Sequence, residues 1–323
     1  MSTLYLAFLA QHDDGAWHRL VDRLEPSVHP VDRAAVRIWF HLFPLALQRA
    51  IEESGDAARL ARTLALAGRW RLADQIHTSH RFLYGHRFWP EAREAVAAFV
   101  ARPAAPDSLD VAAHVKGLAG AVSDAHGLDA GVLTGIIAVA LRTVQQVGLD
   151  AFRAAPAAVH LPPAQRALGP GEVLDARARL GRRGLLDRLR GGPPIWPVVF
   201  DEADPAARFP LVDSQHLTTA AGQDARDYRA RDVRCSEGPI PVHCRSCSCG
   251  TCWVGVLSGR EHLSPMDARE RETLAECGYA EAAEPQPVIR LACMAQAAGP
   301  VTLVIPPWNG RVGRIARGSA PSR

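Results

Sequence analysis

The sequence predicts a multidomain protein, an all-α helical N-terminal domain followed by a compact α+β domain. Three observations carry that prediction. Apolar residues recur at helical spacing through residues 1–160. A linker rich in proline, glycine and arginine, with a short helix, interrupts the pattern at 161–194. Beyond it, across 195–310, short strand-like runs surround one well-signalled helix. The remainder, 311–323, is basic, rich in small residues and expected to be a flexible tail.

The helical half begins its strongest signal at "DRAAVRIWFHLFPLALQRAIEESG" (32–55). This segment is apolar on nearly all sides around His41 and predicts a buried helix interrupted near Pro44. "DAARLARTLALAG" (56–68) spaces Leu60 and Leu64 as a helix does, with Gly68 as its stop. "SLDVAAHVKGLAGAVSDAHG" and "LDAGVLTGIIAVALRTVQQVG" add two more helices. In the linker, Leu180, Leu185, Leu186 and Leu189 make one amphipathic, arginine-rich helix. In the last third, "IWPVVF" and "RFPLVD" predict a hairpin, and "TCWVGVLSG", "VIRLACMAQ" and "GPVTLVIP" predict further strands. "LSPMDARERETLAECG" predicts a helix with Ser264 as N-cap, Pro265 at its first position and Gly278 as stop.

Composition narrows the function classes. With 48% hydrophobic and 22% charged residues among 323, the chain has the makeup of a globular protein. A formal net charge of +3 does not mark a nucleic-acid binder, and no nucleic-acid partner is expected. The opening "MSTLYLAFLAQHDDG" has no basic leader. The longest apolar run, "AGVLTGIIAVAL", stops at Arg142, short of the roughly 20 residues a spanning helix needs. A cytoplasmic protein without a membrane span is therefore expected. Seven cysteines, an odd number confined to the last third, argue for metal ligation over a disulfide framework.

Four of those cysteines fall within "HCRSCSCGTC" (243–252): Cys244, Cys247, Cys249 and Cys252. Two metals compete for them. Zinc favours two CxxC knuckles separated by a longer loop, and here one residue separates the pairs, which is cramped for a single ion. The subset Cys244, Cys249 and Cys252 instead has the C-x4-C-x2-C spacing of plant-type [2Fe–2S] sites, which close with a remote fourth cysteine. Cys293, separated from Cys252 by forty residues and lying between two strand-like runs, is the natural candidate. Small residues at Ser246, Ser248, Gly250 and Thr251 suit a loop whose amides point at sulfur.

The stretches "GPIPVHCRSCSCGTCWVGVLSG", the helix after "LSP" and "IRLACMAQ…VTLVIP" resemble the plant-type [2Fe–2S] ferredoxin domain, a β-grasp fold. The resemblance covers 195–310, about a third of the chain. It implies one [2Fe–2S] cluster held by Cys244, Cys249, Cys252 and Cys293, and one-electron transfer as the task. Clusters of this type have low potentials, near about −400 mV, suited to donating electrons to an oxygenase or reductase. The chain departs from the family in a longer Cys252-to-Cys293 stretch, with an insertion expected at 279–287. It departs again at Cys247, where the family often has glycine. Cys247 reads as a passive small residue, a thiol touching the cluster or a spare ligand. Cys235 and Cys277 read as ordinary buried thiols, and His243 as a possible donor to a cluster sulfur. No G-x-G-x-x-G fingerprint follows a strand, so a separate reductase, oxygenase or both are the expected redox partners.

A second candidate site lies in "DQIHTSHRFLYGHRFW". If helical, Asp74, His77 and His80 form one stripe, with His86 after Gly85 and His41 on the preceding helix. Such residues could hold a second metal, or two histidines could hold haem, making the chain a redox enzyme fed by the cluster. Neither paired Glu-x-x-His helices nor a CxxCH attachment is present. The plainer reading has these histidines stacking on Trp89, Tyr84 or Phe82 and bonding to Asp74 and Arg81.

Overall fold

The computed structural model describes residues 3–103, 108–181, 192–277, 279 and 286–309. The expected tail at 311–323, the helix stop at Gly278, the linker leucines Leu185, Leu186 and Leu189, and most of the 279–287 insertion lie outside them. The chain divides into two units: Met1–Gln48 with Arg71–Pro170, and Arg49–Trp70 with Gly171–Arg323.

The first unit is helical. Its chain begins with α1 (Leu4–Leu9), α2 (Asp14–Leu24), α3 (Arg33–Leu42) and the start of α4 (Leu45–Glu53). The break between α3 and α4 falls at Pro44, which lacks the amide a continuous helix would need there. Asp14, at the start of α2, accepts the Leu45 and Ala46 amides and pairs with Arg142, so one carboxylate ties three segments together. The segment 49–70 groups with the second unit. It holds α5 (Ala57–Thr63), capped by Asp56, and a two-residue strand β1 (Ala67–Gly68). The helix expected through Gly68 therefore stops early: Ala65 turns left-handed (φ 51°) and β1 pairs with the far end of the chain.

Returning to the first unit, α6 (Trp89–Val100), α7 (Val111–His126), α8 (Ala130–Val147), α9 (Leu149–Ala154) and α10 (Pro163–Arg166) follow. Asp110 and Asp129 cap α7 and α8 by accepting amides at the helix starts, as expected for aspartate before an apolar run. By length and composition α8 could cross a membrane, but Val132 to Val144 are buried within the protein, so it is the core helix of its unit.

The second unit is α+β. After α11 (Pro170–Arg179) come β2 (Ile195–Val199), β3 (Arg208–Val212), β4 (Gln215–His216), α12 (Leu217–Gly222), β5 (Trp253–Ser258), α13 (Ala268–Glu276), β6 (Ile289–Leu291), β7 (Gln296–Ala297), β8 (Val301–Val304) and β9 (Trp308–Asn309). A five-stranded sheet runs β3-β2-β8-β5-β6. β2 and β8 are parallel at its centre, and antiparallel pairs flank them. The β2–β3 hairpin matches the sequence expectation. Its loop is tightened by Asp201 and Asp204, whose carboxylates accept the Ala203 and Ala206 amides two residues on. On β3, buried Phe209 and Leu211 alternate with exposed Arg208, Pro210 and Val212. On β5 the alternation is lost because both faces are covered, and Trp253 through Leu257 are all buried.

The helix α13 starts later than expected. Asp267, not Ser264, is the N-cap and accepts the Glu270 amide at 2.7 Å. Ser264 is recruited elsewhere: its amide donates to Gln296, its hydroxyl accepts the Gln296 amide, and its carbonyl accepts from Arg290. Three tertiary bonds outweigh one local cap.

Candidate functional site

The cysteine loop is delivered by a close backbone crossing. A side chain at Gly238 would place its Cβ 1.9 Å from the Ala221 carbonyl oxygen, and the residue has φ 72°, so only glycine passes over the end of α12. The loop itself turns left-handed at Arg245 (φ 53°), Cys247 (φ 60°) and Gly250 (φ 66°). Left-handed backbone at a non-glycine residue costs on the order of 1–2 kcal/mol. Here it is held at two such positions within three residues, and strain of this kind concentrates at functional sites. The result is a nest of inward amides: Ser246 and Ser248 each donate to Cys244 Sγ at 3.4 Å, and Thr251 donates to Cys249 Sγ at 3.5 Å.

The four candidate ligands interact as two pairs rather than as one close group. Cys249 acts electrostatically on Cys244, and Cys252 and Cys293 act on one another, with the Cys247 amide also stabilising Cys293. The remote Cys293 is brought in by strand pairing. Trp253 on β5 lies opposite Leu291 on β6, and the Ala292 amide donates to the Cys252 carbonyl at 3.0 Å. Cys249, Cys252 and Cys293 are buried, while Cys244 is half-buried.

The electrostatics follow from these contacts. Burial raises the Cys244 thiol, but hydrogen bonds from Ser248, the Ser246 amide, Cys249 and the Ser248 amide outweigh it and hold the group at about 5. In the second pair, the Cys252 side chain and the Cys247 amide stabilise Cys293 as the thiolate against the cost of burial. Cys252, hydrogen-bonded to Cys293 and more deeply buried, keeps the proton and is raised well above an ordinary thiol. The loop is thus already arranged to carry thiolate charge.

Cys247 is buried and its thiol is directed elsewhere, donating to Thr273 Oγ1 on α13 at 3.5 Å. Burial raises it. Thr273 in turn donates to the Cys247 carbonyl at 2.8 Å, which holds the left-handed turn in place. Cys235 fits its plain reading: it donates to the Pro239 carbonyl at 3.1 Å and burial pushes it up to about 11. Cys277 does not. It is half-buried, and a Cβ on Gly250 would lie 2.9 Å from its sulfur, so it packs against the cysteine loop. Sequence reasoning missed this contact, although Thr273 and Cys277 at i, i+4 on one helix would face the same neighbour. His243 is exposed.

The histidine stripe is not formed. Residues 75–83 are a series of turns, not a helix. Buried Asp32 captures the Tyr84 and Gly85 amides at 2.6 and 2.7 Å, and Trp39 donates to Ser79 Oγ. These contacts fix a non-helical path through a stretch containing β-branched Ile76 and Thr78. Asp74 is exposed and pairs with Arg71, and His41 stacks on His18 with ring centroids 4.5 Å apart. His80 and His86 meet, Nδ1 to Nδ1 at 2.9 Å, with Trp89 against His80, and His77 is half-buried beside them. Among the described residues no three His, Cys, Asp or Glu side chains converge as one metal ion would require.

The buried histidine pair makes a pH prediction. Burial, with the charges of Arg81 and His77, holds His86 down to about 4, and burial likewise holds His80 well below an ordinary histidine. Above about pH 6.5 both folded and unfolded histidines are neutral. As pH falls from there towards 4, the unfolded state takes up protons that the folded pair refuses, so stability is lost. For His86 alone the loss reaches about 3 kcal/mol. Urea denaturation of the helical unit should show a falling midpoint across this window, and a midpoint independent of pH would refute the assignment.

No family model matches the chain, and neither a curated protein nor a solved structure matches it significantly.

Proposed function

We infer that the protein carries one [2Fe–2S] cluster on Cys244, Cys249, Cys252 and Cys293 and exchanges single electrons with a separate redox partner, a reductase, an oxygenase or both. The observation that carries this reading is the interaction of the four cysteines in two pairs, Cys244 with Cys249 and Cys252 with Cys293. Two bridged irons ask for two thiolates each, whereas one zinc asks for four sulfurs around a point. The sheet adds support. Its order β3-β2-β8-β5-β6, with β2 and β8 parallel and the outer pairs antiparallel, is the order expected of the β-grasp fold that the sequence resembles.

When bound, the cluster supplies one-electron chemistry. The chain's own residues would do the rest. The amides of Ser246, Cys247, Ser248 and Thr251 stabilise charge on sulfur, and such hydrogen bonds set the potential. Burial of three of the four cysteines excludes water from most of the site. A reducing cytoplasm would keep the thiols available. The carrier reading is favoured over an enzyme with a second metal or haem among Asp74, His77, His80, His86 and His41. Asp74 is exposed and bound to Arg71, and His80 and His86 bond to each other.

Anaerobically purified protein should be red-brown, hold about two irons and two acid-labile sulfides per chain, and give a spin-one-half EPR signal on reduction. A colourless protein with one zinc would overturn the reading. Iron or haem beyond the cluster that disappears in His80→Ala would favour the enzyme.

A further inference from the structure

Two arginines of the helical unit face one cavity with no acid in its wall. The cavity measures about 350 Å³ and is lined by Arg87, Phe88, Val159, Leu161 and Arg166. That volume falls at the lower end of small-molecule sites, roughly 300–1,000 Å³.

Arg87 is held rigidly. Its guanidinium lies 3.6 Å from the centroid of the Tyr84 ring. Its Nε donates to the Tyr84 carbonyl at 3.2 Å, Nη1 to the Leu168 carbonyl at 2.8 Å and Nη2 to the Gln165 carbonyl at 3.3 Å. All three acceptors are neutral. The Tyr84 side chain takes a further bond, and since an arginine has five N–H groups about one remains for a ligand. Asp32 acts on it only through space, its oxygens accepting the Tyr84 and Gly85 amides. Arg166 is exposed and donates to the Leu161 carbonyl at 3.4 Å. Among the described residues neither arginine has a carboxylate partner. A half-buried cation without a contacting counter-ion is costly, and a ligand anion would reduce that cost.

The other three walls are apolar. A phosphate would satisfy the arginines and leave Phe88, Val159 and Leu161 against a hydrated ion. A neutral hydrocarbon would do the reverse. We propose that this cavity binds a small monocarboxylate with an aromatic or branched apolar body, its carboxylate between Arg87 and Arg166 and its body against Phe88, Val159 and Leu161. The proposal rests on the helical unit alone and stands apart from the cluster.

Benzoate is the probe, titrated calorimetrically into the full chain. Saturable binding with Kd on the order of 0.1–1 mM is expected. Benzyl alcohol, with the body but no charge, and inorganic phosphate, with charge but no body, should each bind at least about tenfold more weakly. Arg166→Gln, at an exposed side chain, should weaken benzoate about tenfold or more, and Leu161→Glu, which adds a carboxylate to the wall, should abolish binding. No saturable benzoate binding, equal binding of phosphate or benzyl alcohol, or unchanged affinity in both variants would each overturn the proposal.

Discussion

Cys293→Ser should leave the protein without a visible chromophore and with iron reduced to a small fraction of the wild-type content, whereas Cys247→Ser should keep both nearly unchanged. The contrast is sharp because the two cysteines exchange the roles that sequence distance suggests. Cys247 lies inside the cysteine loop, yet its thiol donates to Thr273 on α13. Cys293 is separated from Cys252 by forty residues, yet the β5–β6 pairing brings their segments together and the two side chains act on one another. Serine at 293 removes half of one thiolate pair and leaves Cys252 with no sulfur partner of its own. Serine at 247 preserves a small donor for Thr273 and leaves the amide that Cys293 accepts. Cys244→Ser, Cys249→Ser and Cys252→Ser should behave like the Cys293 variant. Iron analysis, visible absorption and EPR of anaerobic samples read the outcome. If Cys247→Ser bleaches the protein and Cys293→Ser does not, the loop closes on itself and the proposed ligand set is wrong.

The second large effect is on stability. Glu270→Ala should destabilise the C-terminal unit by about 3–5 kcal/mol. Glu270 on α13 is 1% exposed and Arg290 on β6 is 3% exposed. They form a bidentate pair, both bonds at 2.9 Å, and Glu270 also accepts the Leu291 amide at 2.7 Å. Removing the carboxylate leaves a buried guanidinium without its counter-ion and an amide without an acceptor, and both penalties fall on the folded state. Arg290 also holds the Ser264 carbonyl, so the pair joins helix, strand and the segment before the helix. Because Cys293 follows Arg290 by three residues, loosening this joint should also shorten the lifetime of any bound cluster. The double replacement Glu270→Leu with Arg290→Met removes both charges and should recover a large part of the loss. Chemical denaturation of the three variants measures the coupling. A single variant within about 1 kcal/mol of wild type would show that water reaches the pair and that it is no anchor.

Local signals were readable wherever one short segment decides its own conformation. Pro44 broke the long apolar helix, the apolar spacing of 111–147 gave α7 and α8, and the runs at 195–200 and 208–213 paired as the expected hairpin. Each depends on a ring or an apolar pattern among near neighbours. The readings that failed had a distant competitor. The spacing of Asp74, His77 and His80 fits a helix, but buried Asp32, more than forty residues earlier, claims the amides at 84 and 85 and bends the path. Ser264 is a good cap by type, but Gln296 and Arg290 occupy it. Residues 49–70 look like one more piece of the helical half, but they group with the second unit, where Gly68 pairs with Trp308 in a separate two-stranded sheet.

The sequence alone determined that one half is helical, that the last third mixes strands with a helix, and which cysteines have the spacing to share a metal cofactor. Spacing of ligands and periodicity of apolar residues are properties of neighbours, so they survive in one dimension. Only the tertiary structure decided that β5–β6 pairing brings the Cys293 segment to Cys252, that Cys247 faces α13, that Cys277 packs on the loop, and that two arginines share a cavity without an acid. Those facts depend on which strands pair and which buried charge finds which amide, and burial makes such long-range choices strong enough to override local preference.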